Sequence, residues 1–150
     1  MLNFEHDILY YDYRFSHLKT AKTHGQTAPH KPLLLLAVME LVEAGNINSP
    51  QIMLSDELVN TFNRNAQIHV PDVKHYRPNI GMPFYHMQSE PFWDLVPREE
   101  GVTPNVTSIS GLRRHYVCAQ IDNDLFSILT DAGNRVILQK TLIETYLKLD

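Results

Sequence analysis

Residues 82–96 read MPFYHMQSEPFWDLV, and the way this stretch folds decides what kind of domain the chain makes. Apolar and polar side chains alternate through PFYHM and again through PFWDLV, with the polar residues 88–90 between them. Alternation at a period of two on both sides of a short break predicts a β-hairpin. Pro83 and Pro91 then fit at strand starts, where the missing N–H is tolerated. On such strands Phe92 and Trp93 are core residues, and His86 falls mid-strand.

Helical spacing dominates on both sides of this stretch. Ile8, Leu9, Tyr11, Tyr13, Phe15 and Leu18 predict an aromatic-rich helix over about residues 4–20. A polar loop follows over 23–28. The segment APHKPLLLLAV (28–38) opens a second helix, with Pro32 suited to the first helical position and Gly45 to the stop. A short strand is expected within 46–53 near Pro50. Ser55 then caps a helix that turns Leu58, Val59 and Phe62 inward. Residues 70–80 are interrupted by Pro71 and Pro78 and hold one or two helical turns. Beyond the hairpin, 101–107 is a loop and 108–120 a helix with Leu112, Tyr116 and Ala119 on one face. Two more helices cover 122–129 and 133–149. From Pro32 the order is helix, short strand, helix, broken helix, hairpin, which is the order of a winged helix. The expected fold is therefore α+β: one mainly helical domain over residues 1–150, with a winged-helix-like core and a small β-hairpin.

Composition narrows the function. At 150 residues with 43% apolar and 20% charged side chains, the chain can bury one real core. It contains no apolar run long enough for a transmembrane helix, and its first residues carry acids where a secretory signal needs bases. Cys118 is the single cysteine, so no internal disulfide can form, and a reducing, cytoplasmic setting is expected. The net charge of −4 argues against a polyanion partner until its distribution is considered. Windows 13–39, 62–89 and 101–121 hold nine of the 13 lysines and arginines, seven of the eight histidines, and only Asp72 among the 17 acids. If these windows meet in space, they form a positive face that concentrates phosphate whatever the global sign.

The catalytic and metal signatures are weak. The histidines form no HExxH or Cys/His cluster, and there is no Gly-rich phosphate loop or GxSxG elbow; no metal and no cofactor are expected. Asp72-Val73-Lys74 has the D-x-K spacing of some metal-dependent nucleases, but no partner carboxylate is evident. Nucleic-acid contact is better supported. Arg77 and Asn79 precede the hairpin beside His75 and Tyr76, Tyr85 lies within it, and Arg113, Arg114 and His115 share one helix. Arginines and helix starts are what phosphate binding uses.

The segments APHKPLLLL, MPFYHMQSEPFWDL and GLRRHY…DNDLFSILTDAGNRVILQKTLIETYL, taken together, resemble the sulfur-binding domain of type IV restriction enzymes. That domain stands before an HNH nuclease module in enzymes that attack phosphorothioated DNA. The resemblance runs from about Phe15 to Leu149 in the family's order. It implies binding of duplex DNA in which sulfur replaces a non-bridging phosphate oxygen, held in a small, largely apolar surface cavity. By position, Met82, Pro83, His86 and Arg113 (or Arg114) would surround the sulfur; position 82 carries Met where an aromatic is common. His30, Lys31, Arg77, Asn79, Tyr85 and Arg114 would contact phosphates or base edges. On this reading the chain is a binding domain and not an enzyme, and any nuclease activity would lie in an HNH module outside it. Two rival readings are an ordinary winged-helix DNA-binding module and a small nuclease using Asp72 and Lys74.

Overall fold

Asp7 opens the first helix, α1 (Ile8–Ser16), by accepting the Tyr10 N–H on its carboxylate at 3.1 Å. The computed structural model describes residues 6–20, 22–23, 26–70 and 78–147. His24, Pro71, Asp72, Lys74, His75, Tyr76 and Arg77 lie outside the described residues. Where a plain polar loop was expected, β1 (Lys22–Thr23) and β2 (Gln26–Thr27) pair as a short antiparallel ladder.

Helix α2 (His30–Glu43) begins two residues before Pro32, which sits in its first turn, where no intrahelical donor is needed. Eleven of its 14 residues are buried. A helix that is apolar on every side has to be enclosed, and α2 packs against α3 (Asp56–His69), α4 (Gly81–His86) and α7 (Ala132–Leu142). Gly45 ends it with φ at 81°, a left-handed conformation open to glycine without strain. The two-residue strand β3 (Gln51–Ile52) follows, and the Ser55 hydroxyl caps α3 by accepting the Leu58 N–H at 3.1 Å. Leu58 and Phe62 face the core as expected.

The predicted hairpin over 82–96 does not form. Its first half is helical: α4 continues into a 3₁₀ turn, Met87–Ser89. Ile80, Phe84 and Met87 are buried, while Met82 and His86 face outward. That is helical spacing, which five alternating residues cannot distinguish from a strand. Pro83 stands in the first turn of α4, not at a strand start. The second half does become a strand, β4 (Trp93–Pro97), but its partner is β5 (Tyr116–Ile121), beyond the intervening helix α5 (Ile109–His115). The helix expected over 108–120 therefore ends at His115. Leu112, Tyr116 and Ala119 are all buried, so a strand entered directly from a helix reproduced the helical spacing.

The sheet order is β3–β5–β4, all antiparallel. The pairing of Val96 with Cys118 and of Pro97 with Tyr116 leaves Val117 unmatched, as a bulge. Helix α6 (Asn123–Leu129), α7 and a π-helical turn (Ile143–Leu147) close the described chain. The phenol of Tyr11 donates to Asp122 and Asp124, which joins α1 to the start of α6. Helix, strand, two helices and two strands, with the last strand in the middle of the sheet, is winged-helix order. Here α5 occupies the wing between β4 and β5.

At Gly81 a β-carbon would fall 1.9 Å from the carbonyl oxygen of Thr107, so the base of the wing lies directly on the start of α4. Gly81→Ala should therefore destabilise the fold by about 1–3 kcal/mol by overpacking, the reverse of the usual gain from alanine in a helix. Urea denaturation measures the sign.

Candidate nucleic-acid interface

In a helix-turn-helix the second helix of the motif enters the major groove, and α4 holds that place here. Three contacts set it. The indole N–H of Trp93 donates to the Phe84 carbonyl at 3.2 Å, and the two rings meet edge to face at 5.5 Å. Gly81 is in close approach to Thr107. Asn79 accepts the Gly81 N–H on its side-chain oxygen at 3.0 Å, shaping the turn into the helix. On the outer side Met82 is 39% exposed and His86 is exposed one turn later. Tyr85 is half-buried, with its ring edge-on to that of His86 at 5.2 Å. Met82, Pro83 and His86 thus share one short helix, with Met82 and His86 exposed and Pro83 buried.

The wing supplies the guanidinium groups, and its two arginines differ. Arg113 donates from Nε to the Leu54 carbonyl at 2.9 Å and from its terminal nitrogen to Asp56 at 3.0 Å, so it is held against the start of α3. It lines a 240 Å³ cleft with Met53, Leu54, Phe84 and Cys118; Met82, Pro83 and His86 are not among the lining residues. Arg113 thus shares a cleft with Phe84 of α4, while its guanidinium is already engaged by Leu54 and Asp56. Arg114 is exposed and has no ion-pair partner among the described residues.

Lys31 departs furthest from expectation. Expected at a DNA surface, it is 6% exposed. Its ammonium donates to Glu90 at 2.7 Å and to the Ser89 hydroxyl at 2.9 Å. The same Glu90 oxygen accepts the Lys19 N–H at 2.8 Å, and the Lys19 ammonium reaches the Ser89 carbonyl at 3.1 Å. Glu90, read in the sequence only as part of a turn, is buried at the centre of this clasp. No local pattern signals it, because its partner lies 59 positions away. These contacts also show that the acid-poor windows do meet: Lys31 and Ser89 join the first to the second, and Gly81 and Thr107 join the second to the third.

His30, half-buried at the start of α2, has its pKa lowered by burial. Near neutral pH it is therefore uncharged. Burial likewise pushes the Cys118 thiol up, away from thiolate chemistry. Among the described residues no group of His, Cys, Asp and Glu could hold a metal ion, and no helix is long and apolar enough to cross a membrane. The depressed His30 value has a thermodynamic consequence. The unfolded chain takes up the proton first, near the ordinary value of about 6.5, so its contribution to stability is complete above that pH and is lost as pH falls below it. Stability measured from pH 8 to pH 5 should decline, and His30→Gln should flatten the decline.

No curated protein sequence matches this chain. Among solved structures, the sulfur binding domain of SprMcrA complexed with phosphorothioated DNA is similar, with a TM-score of 0.70 at 20% identity over 97% of this chain and 89% of that one. At that identity the likeness concerns the fold. The family model for ScoMcrA-like DNA sulfur-binding domains matches residues 12–149, nearly the whole described chain, and the chain belongs to that family.

Proposed function

We propose that this domain binds double-stranded DNA carrying a phosphorothioate and reads it with the outer face of α4 and the adjoining wing. The observation that carries this reading is the exposure of Met82 and His86, one turn apart, on the helix that a winged helix presents to the major groove, in a chain of the sulfur-binding family. The similar structure that holds phosphorothioated DNA supports the same choice of partner.

The chemistry is that of a soft atom replacing a hard one. Sulfur is larger and more polarisable than oxygen and a weaker hydrogen-bond acceptor. Against the exposed Met82 thioether it gains dispersion contacts and loses little hydration. An oxygen in the same place would give up water without replacement, so discrimination comes partly from penalising the wrong atom. The phosphate charge still has to be met. Arg114, unpaired among the described residues, is better suited to meet it than Arg113, which already serves Leu54 and Asp56. Asn79, just before the same helix, and Tyr85, on it, would approach the backbone or base edges, and His30 would meet them uncharged. The role is recognition without catalysis; cleavage would come from an HNH-type nuclease of the same restriction system.

Anisotropy titrations of one duplex with and without a single phosphorothioate, at matched salt, test the reading. The modified duplex should bind at least about tenfold tighter, a difference of about 1.4 kcal/mol. Equal affinities would leave an ordinary winged-helix binder. Met82→Ala should narrow the ratio between the two duplexes. Arg114→Ala should weaken both alike and lower the salt slope by about one unit.

A further inference from the structure

The reading helix is too short to hold its own direction. Helix α4 has six residues and its 3₁₀ extension three, well below the length at which a helix is stable alone. At its start it is fixed by backbone packing on Thr107. At its end the chain turns through Ser89 and Glu90, where Glu90 N–H closes onto the Met87 carbonyl at 2.8 Å. That turn is gripped from outside. Lys31 reaches it from the first turn of α2, the most enclosed helix of the domain, and makes two charge-assisted bonds there. Lys19 adds a backbone donor to Glu90 and an ammonium to the Ser89 carbonyl. The Lys31 and Glu90 side chains are 8% and 2% exposed, so neither has room to meet a phosphate, and the positive charge is already neutralised.

We propose that Lys31 and Glu90 are positioning residues: their buried pair fixes the direction of α4, and Lys31 serves sulfur discrimination through Glu90 without touching DNA. The inference rests on α4 being the reading helix. It separates two roles that a basic residue beside a DNA-binding surface can have, and the salt dependence of binding tells them apart. A lysine on a phosphate releases counterions and contributes about one unit to the slope of log K against log salt; a lysine spent on a buried carboxylate contributes none.

The single change Lys31→Met strands a buried carboxylate and is open to simple misfolding. The informative variant is the doubly neutral Lys31→Met/Glu90→Gln, which keeps an acceptor for the Lys19 N–H. In the domain without DNA, its Phe84 and Met87 amides should exchange with solvent about tenfold faster or more, while Leu35 and Phe62 stay protected. With DNA, the modified duplex should lose about tenfold in affinity or more and the plain duplex less, at an unchanged salt slope. A slope lower by about one unit with the modified-to-plain ratio intact would overturn the proposal and make Lys31 a phosphate contact. Unchanged exchange at Phe84 and Met87 together with an unchanged ratio would overturn it equally. If the parent domain itself binds both duplexes alike, the sulfur reading fails, while the exchange measurement still decides whether the pair holds α4.

Discussion

The enclosure of α2 is the constraint on which everything else hangs. Its run of leucines continues through Ala37, Val38 and Met39 with almost no exposed surface, so no solvated face is left on which the helix could rest. Burying one such side chain is worth about 1.5–3 kcal/mol, and that gain is available only if other elements surround the helix. The domain is arranged to do so, with α3, α4 and α7 around it. The polar links at its ends keep those elements in register. Glu40 binds Asn65 of α3 at 3.0 Å and also pairs with Arg64, and Lys31 binds the turn that follows α4.

A buried ion pair is an uneven source of stability. Its Coulomb attraction is largely offset by the desolvation of two charges, yet removing one partner costs about 3–5 kcal/mol. The Lys31–Glu90 pair is therefore better regarded as a device of geometry than as a net contributor to folding. It commits the turn at 89–90 to one place, and with it the end of the helix that bears Met82 and His86. The wing does the same at the other end, through Thr107 on Gly81. Tyr116, whose hydroxyl donates to the Pro104 carbonyl at 2.7 Å, ties the wing loop to β5.

Held in this way, α4 can show an apolar patch to a polyanion. A surface that binds DNA by charge alone treats sulfur and oxygen alike, because both carry the phosphate's negative charge. A surface that is apolar alone gains too little to hold a charged backbone. On the proposed reading, exposed Met82 on α4 and exposed Arg114 on α5 divide these two tasks between separate side chains. The overall charge of −4 is a sum over acid-rich and acid-poor stretches, and the acid-poor windows touch at Lys31–Ser89 and at Gly81–Thr107.

Much of this was legible in order of sequence and little of it in space. The caps at Ser55 and Gly45, the helices around Leu58 and Leu33, the inward Phe92 and Trp93, and the α+β class follow from local rules, because propensity, capping and periodicity act within a few residues. The windows of charge and the helical run at 28–38 belong to the same kind of information. The first half of the expected hairpin is a helix because five alternating residues fit a strand and a short helix equally, and packing of Phe84 against Trp93 goes with the helix. The partner of β4 was missed because it lies beyond α5, where no turn signal points. The surroundings of Lys31 were the least legible: a lysine's chemistry is set by its nearest charge, and that charge sits 59 positions away. The sequence by itself determined the longer helices with their caps, much of the core, and which stretches carry bases almost without acids. Only the tertiary structure decided which cations remain free for a phosphate, since burial and pairing depend on contacts between residues distant along the chain.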